Sequence, residues 1–484
     1  MELTGVLSTL NGIAAIVVVL GLCLYFHEAG HFLAAKAFGC KVHDFAFGFG
    51  PSLIARKRGE TTYRVNIIPF GGYVRIAGME PGSEAVEGGF HSIPRYQSAI
   101  ILCAGVTMNV VLAIIMFTIV ALWSGVPDPS DDSIIVGKVM PDSPAQRAGL
   151  MTGDKIVAIE QCRLSLTLQA VSPSGAAARA GLRPGMVISK FGDTPVHLPI
   201  ALYRHLLGSS DQQVEIAALD YQAPSLAEQQ KIVRLPRPDL PPEADCKRSM
   251  RILEKAWGVS FSDLDTNTIV GTIGLRPERP VSVTVLRDGA ETGVTVVPTP
   301  AWARQAVRDR SGAISTPHTQ TGRIGVVLEA ARKPVNFIEL QRRDKFPYVD
   351  VAFPALEVGV LGSYGAVRMV GVSLWLIATK QVQGATGGPV AIMAMSAEQA
   401  RVGWDAVLRW VGIISANLAV INIIPAPPFD GFRVTLLGLE AIIRRRIDAE
   451  KDLALTLAGV IVIVIFLLIL TSRDILNLIR YGTP

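Results

Sequence analysis

Long apolar runs with few charged positions alternate along this chain with polar, turn-rich stretches. Four of these runs lie at about residues 10–38, 96–127, 410–429 and 453–472. About 20 apolar residues in a helix are enough to cross a hydrocarbon layer about 30 Å thick. The pattern therefore predicts a polytopic α-helical membrane protein with four transmembrane helices.

A fifth apolar region, Val370 to Met395, is interrupted by Lys380 and by the glycine-rich turn from Gly384 to Pro389. Such breaks are tolerated at membrane depth only where the backbone lines a cavity or is buried in protein. We therefore predict an amphipathic helix at the surface followed by a re-entrant segment, and no fifth span.

Strand-like alternation occurs between the first two runs, in the β-branched segment 61–69. Phe70-Gly71-Gly72 then predicts a turn, and segment 73–76 a second strand. The pattern indicates a β-hairpin that dips toward the membrane, with an edge that can hold an extended substrate by strand addition. A small cytoplasmic cap without substrate contact is the alternative.

An internal repeat lies between the second and third runs. The segment from Met140 to Ile156 matches the segment from Val171 to Val187, and each predicts strand, turn, short helix ending in Ala-Gly-Leu, turn and strand. Each copy resembles the core of a PDZ domain. Because only about thirty residues separate the two starts, we predict nesting: the first PDZ domain starts near Ile134, stops after Arg163 and resumes near Ile273, and the second, about 166–240, is inserted within it.

These patterns together predict a domain order along the chain. The predicted segments are the first span at 1–38, a loop with the membrane-associated β-hairpin at 39–95, the second span at 96–127, the tandem PDZ region at 128–335, an extracytoplasmic amphipathic helix and re-entrant segment at 336–405, the third span at 406–431, a cytoplasmic loop at 432–452, the fourth span at 453–472 and a tail at 473–484.

Composition supports the membrane class and charge orients the chain. Half of the 484 residues are hydrophobic and the mean hydropathy is +0.38, whereas the net charge of +5 gives no reason to propose nucleic-acid binding. Lysines and arginines cluster in the loops 36–95 and 433–451. By the positive-inside rule both loops face the cytoplasm, so the PDZ region is extracytoplasmic.

The cysteines point to no covalent framework. There are five, at positions 23, 40, 103, 162 and 246, which is an odd number with no CxxC pair. We therefore predict neither a zinc knuckle nor a disulfide framework from their spacing.

The chemistry is centred on His27-Glu28-Ala29-Gly30-His31 at the end of the first run. On a helix, His27 and His31 project from one face and can share a metal ion, and Glu28 can take a proton from water. Since the first run lacks a basic n-region and a cleavage site, we predict a retained helix rather than a signal peptide. A chance motif remains the structural alternative, although ionisable groups within an apolar segment favour function.

Two histidines leave a catalytic zinc ion one protein ligand short, and the end of the third run offers one. The segment from Asn422 to Gly431 reads Asn-Ile-Ile-Pro-Ala-Pro-Pro-Phe-Asp-Gly, and Asp430 is the candidate ligand. Its prolines stop the helix and free backbone groups. Asp-Gly after two prolines is also a common turn, which is the structural alternative.

HExxH in the first run together with NxxPxPxxDG in a late one resembles the site-2 protease family of intramembrane zinc proteases, in particular the bacterial regulators of sigma-E proteases. Further matches are Phe47 to Pro51, Pro69 to Val74 and Gly388-Pro389. The resemblance covers nearly the whole chain. Two departures, the absence of a proline after Gly105 and Phe432-Arg433 after the Asp-Gly pair, concern local packing and not the proposed ligands.

The resemblance implies residue roles. His27, His31 and Asp430 would bind Zn²⁺, Glu28 would be the catalytic general acid/base, and Asn422 would hold substrate or the oxyanion. The substrate strand is expected near Gly71, Gly72, Pro425 and Pro427.

The implied function is cleavage of single-span membrane proteins, such as anti-sigma factors, in the bacterial inner membrane after a first cut trims their outer domain. The active site would face the cytoplasm. A non-catalytic PDZ adaptor with a structural metal site is the alternative, and a metal transporter a weaker third, because the second and fourth runs offer almost no polar lining.

Overall fold

The computed structural model of the chain describes residues 3–80, 83, 86–127, 133–220, 230–241, 245–304, 307–308, 314–315, 318–330, 332–333, 349–378, 382–383, 387–444 and 447–481. Helices in the described residues are α1 Leu3–Ala37, α2 Arg95–Ser124, α3 Pro144–Arg147, α4 Ala176–Arg179, α5 Pro199–Gly208, α6 Cys246–Trp257, α7 Thr266–Gly274, α8 Val349–Ala378, α9 Pro389–Val402, α10 Trp404–Asn422, α11 Asp430–Ile443 and α12 Ala449–Tyr481.

Strands in the described residues are β1 Val42–Arg58, β2 Thr61–Ile76, β3 Val126–Pro127, β4 Ile134–Val139, β5 Lys155–Ile159, β6 Leu164–Val171, β7 Val187–Phe191, β8 Thr194–Pro195, β9 Gln213–Leu219, β10 Gln230–Pro236, β11 Val259–Asp263, β12 Val281–Arg287, β13 Ala290–Val296, β14 Thr299–Arg304, β15 Val307–Arg308, β16 Ile314–Ser315, β17 His318–Arg323, β18 Val326–Ala330, β19 Arg332–Lys333 and β20 Val382–Gln383.

Contacts divide the chain into two compact units. The helical unit comprises Met1–Val126, Arg332–Ala378 and Thr386–Pro484, and the sheet unit comprises Pro127–Ala331 and Thr379–Ala385. Long apolar helices make up most of the first unit, and the second is built from short strands and helices.

The helical unit has, within its described residues, five helices that are long and apolar enough to cross a membrane. They are Ile16–Ala37, Arg95–Ser124, Ala355–Val372, Trp404–Asn422 and Glu450–Tyr481. The chain is therefore an integral membrane protein, but the predicted count of four omits Ala355–Val372. The sequence interpretation began its fifth region at Val370, near the end of α8, and so missed most of that helix. Lys380 and residues 384–386 of the predicted re-entrant segment lie outside the described residues, and α9 follows from Pro389.

The core of the helical unit lies where α1, α2 and α10 meet. Val19, Leu112 and Val411, one from each helix, are almost fully buried there. Gly30 of α1 faces α2 so closely that a Cβ atom on it would overlap the carbonyl oxygen of Ala104. Small residues at such contacts let two transmembrane helices approach each other.

The predicted hairpin exists, but its turn lies elsewhere. The chain reverses at Gly59-Glu60, where Arg58 pairs with Thr61, and β2 continues through residues 70–72 up to Ile76. Gly59 has φ +63°, which a two-residue hairpin loop favours. Gly72 serves close packing instead, because a Cβ atom on it would lie 2.6 Å from the carbonyl oxygen of Ala46.

The two long strands fold back on themselves into a small sheet beside α1. Segment 42–47 pairs with 72–76 on one side and with 62–65 on the other, and 62–66 pairs in turn with 52–57. A Cβ atom on Gly21 of α1 would lie 3.0 Å from the carbonyl oxygen of Pro69, and one on Gly71 would lie 3.2 Å from Leu24. The last part of β2 therefore runs along the apolar part of α1.

Apolar side chains are exposed at the end of this sheet that lies farthest from the turn. Leu53, Ile54, Ile67 and Ile68 are each more than half exposed. Because neighbouring α1 residues belong to a membrane-crossing helix, contact with lipid or with another apolar segment would remove this surface from water.

The sheet unit contains two larger sheets whose strands interleave along the sequence. One has the order β13-β12-β5-β4-β18, and the other has the order β10-β9-β7-β6-β11, with β8 beside β7. All strands of the second sheet come from residues 164–263, between β5 and β12 of the first. We call these the outer sheet and the inner sheet.

The inner sheet extends beyond residue 240. Residues 236–265 contain α6 and then β11, which pairs with β6. Trp257 at the end of α6 is fully buried and donates a hydrogen bond to the carbonyl oxygen of Pro236. The inserted segment therefore ends later than the predicted boundary near residue 240.

A disulfide joins Cys162, between β5 and β6, to Cys246 at the start of α6. This bond corrects the expectation that the cysteines form no disulfide framework. Pairing across 84 residues leaves no local pattern in the sequence, so spacing alone gave no signal for it.

Candidate metal centre

The two histidines of the motif lie on the buried face of α1. His27 is 6% exposed and His31 is 3% exposed, and they are one helical turn apart. Their rings meet edge to face, with centroids 4.8 Å apart. Helix geometry alone thus points both imidazoles at one location.

Asp430 reaches the same location from the far end of the chain. The helix α10 ends at Asn422, the segment through Pro425 and Pro427 turns the chain, and Asp430 opens α11. Gly431 is required beside it, because a Cβ atom there would overlap the carbonyl oxygen of Ile423. A carboxylate at a helix N-terminus is also favoured by the helix dipole.

Three potential ligand atoms converge here. Oδ2 of Asp430 lies 3.1 Å from Nε2 of His27 and 3.3 Å from Nε2 of His31, and the two nitrogens are 3.2 Å apart. In the described part of the chain this is the group of three metal-ligating residues whose ligand atoms all lie within 4.8 Å of one another. Two imidazoles and one carboxylate form a donor set that suits zinc, with a fourth position left for water or substrate.

Helix α2 supplies a contact to the far nitrogen of each histidine. Nδ1 of His31 donates to the carbonyl oxygen of Ile101 at 2.8 Å, and Nδ1 of His27 lies 3.3 Å from Nδ2 of Asn109. The bond to Ile101 places the His31 proton on Nδ1, so Nε2 keeps its lone pair for a metal.

Gly105 makes room for the two rings. A Cβ atom at this position would lie 2.6 Å from Cε1 of His31 and 2.7 Å from Cε1 of His27. The missing side chain therefore lets α2 pack directly against the site.

Glu28 lies on α1 between the ligand pair and the small sheet. Its Oε2 accepts a hydrogen bond of 3.1 Å from the backbone nitrogen of Val74 in β2. A carboxylate beside two metal-ligating histidines can act as a general base toward water, and this contact fixes its position relative to segment 72–76.

The structure places the expected substrate residues in two segments. Asn422 ends α10 and is partly buried, Pro425 is exposed and Pro427 is partly buried in the turn before Asp430. Gly71 and Gly72 lie in β2 beside α1. Arg433, one of the residues that differ from the family pattern, donates a hydrogen bond to the carbonyl oxygen of Met79. This hydrogen bond involves none of the three candidate ligands.

Sequence reasoning missed the contribution of α2 to the site. It named Gly105 only in connection with a departure from the family pattern and assigned no role to Asn109, although both face the histidines. The available signal was the Asn109 amide in the middle of an uncharged run, because polar groups inside membrane segments tend to be functional.

The helices and the histidine-carboxylate cluster together define a membrane metalloprotease class of protein. The model of peptidase family M50 matches residues 15–466. The chain therefore belongs to peptidase family M50 and is a zinc metalloprotease of the site-2 protease type.

Individual relatives agree with this family. The chain is 24% identical to the zinc metalloprotease RasP of Oceanobacillus iheyensis over 471 residues, which cover 96% of this chain and 99% of that protein. It is 24% identical to the chloroplastic membrane metalloprotease ARASP of Arabidopsis thaliana over 98% of this chain and 80% of that protein. A putative zinc metalloprotease of Fusobacterium nucleatum is 43% identical over 150 residues, 31% of this chain and 43% of that protein.

Proposed function

We propose that this protein hydrolyses peptide bonds of single-span membrane proteins, such as anti-sigma factors, after a first protease has trimmed their outer domain. The observation that carries the proposal is that Asp430, at the start of α11, lies within 3.3 Å of His27 and His31, which both belong to a helix apolar enough to cross a membrane. These three residues would hold the zinc ion.

Glu28 is the proposed general base and acid. When bound, zinc supplies a Lewis acid for water and for the scissile carbonyl. Glu28 takes a proton from the attacking water and delivers it to the departing amine as the carbon–nitrogen bond breaks. Val74 holds the carboxylate through its backbone N–H and keeps it beside the ligand pair.

The substrate has to present an extended backbone, because a helix keeps its carbonyls in internal hydrogen bonds. We place the substrate strand along segment 72–76, whose outer side pairs with no further strand among the described residues and faces Glu28. Gly71 and Gly72 keep this segment close to α1, and the turn with Asn422, Pro425 and Pro427 would border the other side of the strand.

The proposed location is a bacterial inner membrane, with the metal centre toward the cytoplasm and the sheet unit outside it. Basic residues in the loops that flank the candidate spans support this orientation. We assign the outer and inner sheets to two nested PDZ domains. The strands of the inner sheet fall between β5 and β12 of the outer one, and each sheet has a four-residue helix followed by Ala-Gly-Leu.

The test compares the wild type with Glu28→Gln in the same membranes, using a single-span substrate with a trimmed outer domain. We expect Glu28→Gln to lose cleavage by about 100-fold or more and to retain zinc, because the base is lost but no ligand is. Glu440→Gln is the matched control. Glu440 is a buried carboxylate of α11 that accepts a hydrogen bond from Ile447, so its change should leave cleavage intact.

Equal cleavage by the wild type and Glu28→Gln would overturn the assigned role. Bound zinc with no cleavage of any trimmed substrate by the wild type would favour the adaptor. The Glu28→Gln protein also tests the position of the strand, because it holds substrate without cutting it. A cysteine at Arg75, in segment 72–76, should cross-link to the substrate, whereas one at Lys57, on the opposite edge of the sheet, should not.

A further inference from the structure

The side chain of Asn109 is fully buried in α2 and lies against the metal centre. Its Nδ2 is 3.3 Å from Nδ1 of His27, and its Oδ1 has no hydrogen-bond partner among the described residues. Within the described residues, the Asn109 side chain forms no hydrogen bond with the other two candidate ligands, His31 and Asp430. The amide therefore has one directed contact, and that contact is with the far side of a proposed ligand.

A histidine that binds metal through Nε2 carries its proton on Nδ1, which then needs an acceptor. His31 has such an acceptor in the carbonyl oxygen of Ile101, 2.8 Å away. His27 has the Asn109 amide at the equivalent nitrogen, on the same helix two turns further along. Both outer contacts of the histidine pair thus come from α2.

Rotation of an asparagine amide by half a turn exchanges its oxygen and nitrogen with little change of shape. With Nδ2 facing Nδ1, the arrangement suits a His27 that has its proton on Nε2. With Oδ1 in that place, it suits a His27 that has its proton on Nδ1 and its Nε2 lone pair toward Asp430 and His31. The amide has one bond to His27 in either orientation, so the protonated nitrogen of His27 decides which is adopted.

We propose that Asn109 is a positioning residue whose side-chain oxygen accepts the Nδ1 proton of His27 and so holds that imidazole in the tautomer and orientation that bind zinc. The inference rests on the proposed zinc site. It adds a side-chain acceptor from the second membrane-crossing helix to a ligand set drawn from α1 and α11.

Asn109→Leu removes the acceptor and keeps a side chain of similar length, and Asn109→Asp keeps an oxygen acceptor in the same place. Ser415→Ala is the matched control, because the Ser415 hydroxyl is equally buried and donates to the backbone carbonyl of Asn109 at 2.8 Å. It removes a hydrogen bond at the same residue without touching the amide.

The measurement is zinc retention by the purified full-length protein against a series of chelator concentrations, with the thermal stability of the zinc-free protein measured in parallel. We expect Asn109→Leu to bind zinc about 10- to 100-fold more weakly, while Asn109→Asp and Ser415→Ala stay near the wild type. Zinc-free stability should not follow the order of zinc affinities.

Wild-type zinc affinity in Asn109→Leu would overturn the inference, and so would an equal loss in Asn109→Leu and Asn109→Asp. A wild type that binds no zinc would overturn the proposed metal centre itself, so the two failures are distinguishable. Cleavage is not needed for either conclusion.

Discussion

At the scale of single residues, the site depends as much on an absent side chain as on the ligands. Gly105 lets α2 approach both imidazoles, since a Cβ atom there would lie 2.6 Å from Cε1 of His31 and 2.7 Å from Cε1 of His27. Contacts under 3 Å between carbon atoms are strongly repulsive. A side chain at position 105 would therefore push both imidazole rings away from the carboxylate of Asp430.

Gly105→Ala should consequently weaken zinc binding by about 10-fold or more and reduce cleavage with it, because the added methyl displaces both ligands. Gly438→Ala is the control, since a Cβ atom at that helical position meets nothing within 4 Å. It should leave zinc content unchanged, as alanine is a better helix former than glycine. Zinc content measured on both purified proteins decides the matter, and full retention by Gly105→Ala would refute this account of the packing.

The candidate ligands could be predicted from the sequence because they belong to recognisable motifs. His27 and His31 follow from helical spacing, and Asp430 from the need for a third ligand, and the structure brings all three together. Asn109 and the carbonyl of Ile101 were missed because they meet the histidines only through the packing of α2 on α1. Contacts of that kind depend on helix rotation, which apolar patterning within a span leaves undetermined.

At the scale of elements, an ion pair in the outer sheet joins two residues that lie on either side of the inserted segment in the sequence. Asp154, just before β5, is buried, and its two oxygens accept hydrogen bonds of 2.7 Å from Nε and Nη2 of Arg287 at the end of β12. The Arg287 guanidinium lowers the pKa of the Asp154 carboxyl below its usual range. The pair thus joins two parts of the sheet that are separated by the whole inner sheet in sequence.

Because the folded-state pKa of Asp154 is depressed, its contribution to stability is present above about pH 4 and is lost as the pH falls through the folded-state value. Asp154→Asn should lower the melting temperature of the sheet unit by about 5 °C at pH 7, and the difference from the wild type should shrink below about pH 4. Glu291→Gln breaks the exposed pair with Arg163 and should change little. Thermal unfolding at several pH values tests this, and a pH-independent difference would count against it.

Element types were easier to predict than element ends. The apolar runs predicted α1, α2, α10 and α12, and alternation predicted strands in 61–76. The turn was placed at Phe70 to Gly72 because glycine pairs are typical of turns, yet here they allow close packing against Ala46 and α1. The candidate span Ala355–Val372 is absent from the four predicted spans because its hydropathy is the lowest of the five candidates and the predicted fifth apolar region began only at Val370.

At the scale of the whole molecule, the sheet unit is held by features that a local sequence pattern does not reveal. The inner sheet starts at Leu164 and ends at Asp263, and its core is continuous with that of the outer sheet. Nesting was inferred from the short distance between two repeats. The assignment of the two sheets to nested PDZ domains remains a prediction. The disulfide between Cys162 and Cys246 was not predicted, although it ties the start of the inserted segment to α6.

This disulfide bears on the orientation of the chain. Disulfides persist in oxidising compartments and are rare in the reducing cytosol, so the pair supports the proposed position of the sheet unit outside the cytoplasm. The basic loops support the same proposed orientation by an independent argument, since the positive-inside rule favours a cytoplasmic position for the segments at 36–95 and 433–451.

We predict that a protein retaining only Cys162 and Cys246 of its five cysteines is not labelled by a membrane-permeable maleimide after denaturation unless it is first reduced. Replacing this pair by alanines should destabilise the sheet unit by about 4 kcal/mol, since the bond closes a loop of 84 residues, whereas replacing the exposed free Cys103 should not. Maleimide labelling of denatured cell extracts, with and without prior reduction, measures the first effect, and denaturant unfolding of the purified protein measures the second. Free thiols at both positions in freshly grown cells would contradict the pairing and remove this support for an extracytoplasmic sheet unit, which would leave the orientation to the basic loops alone.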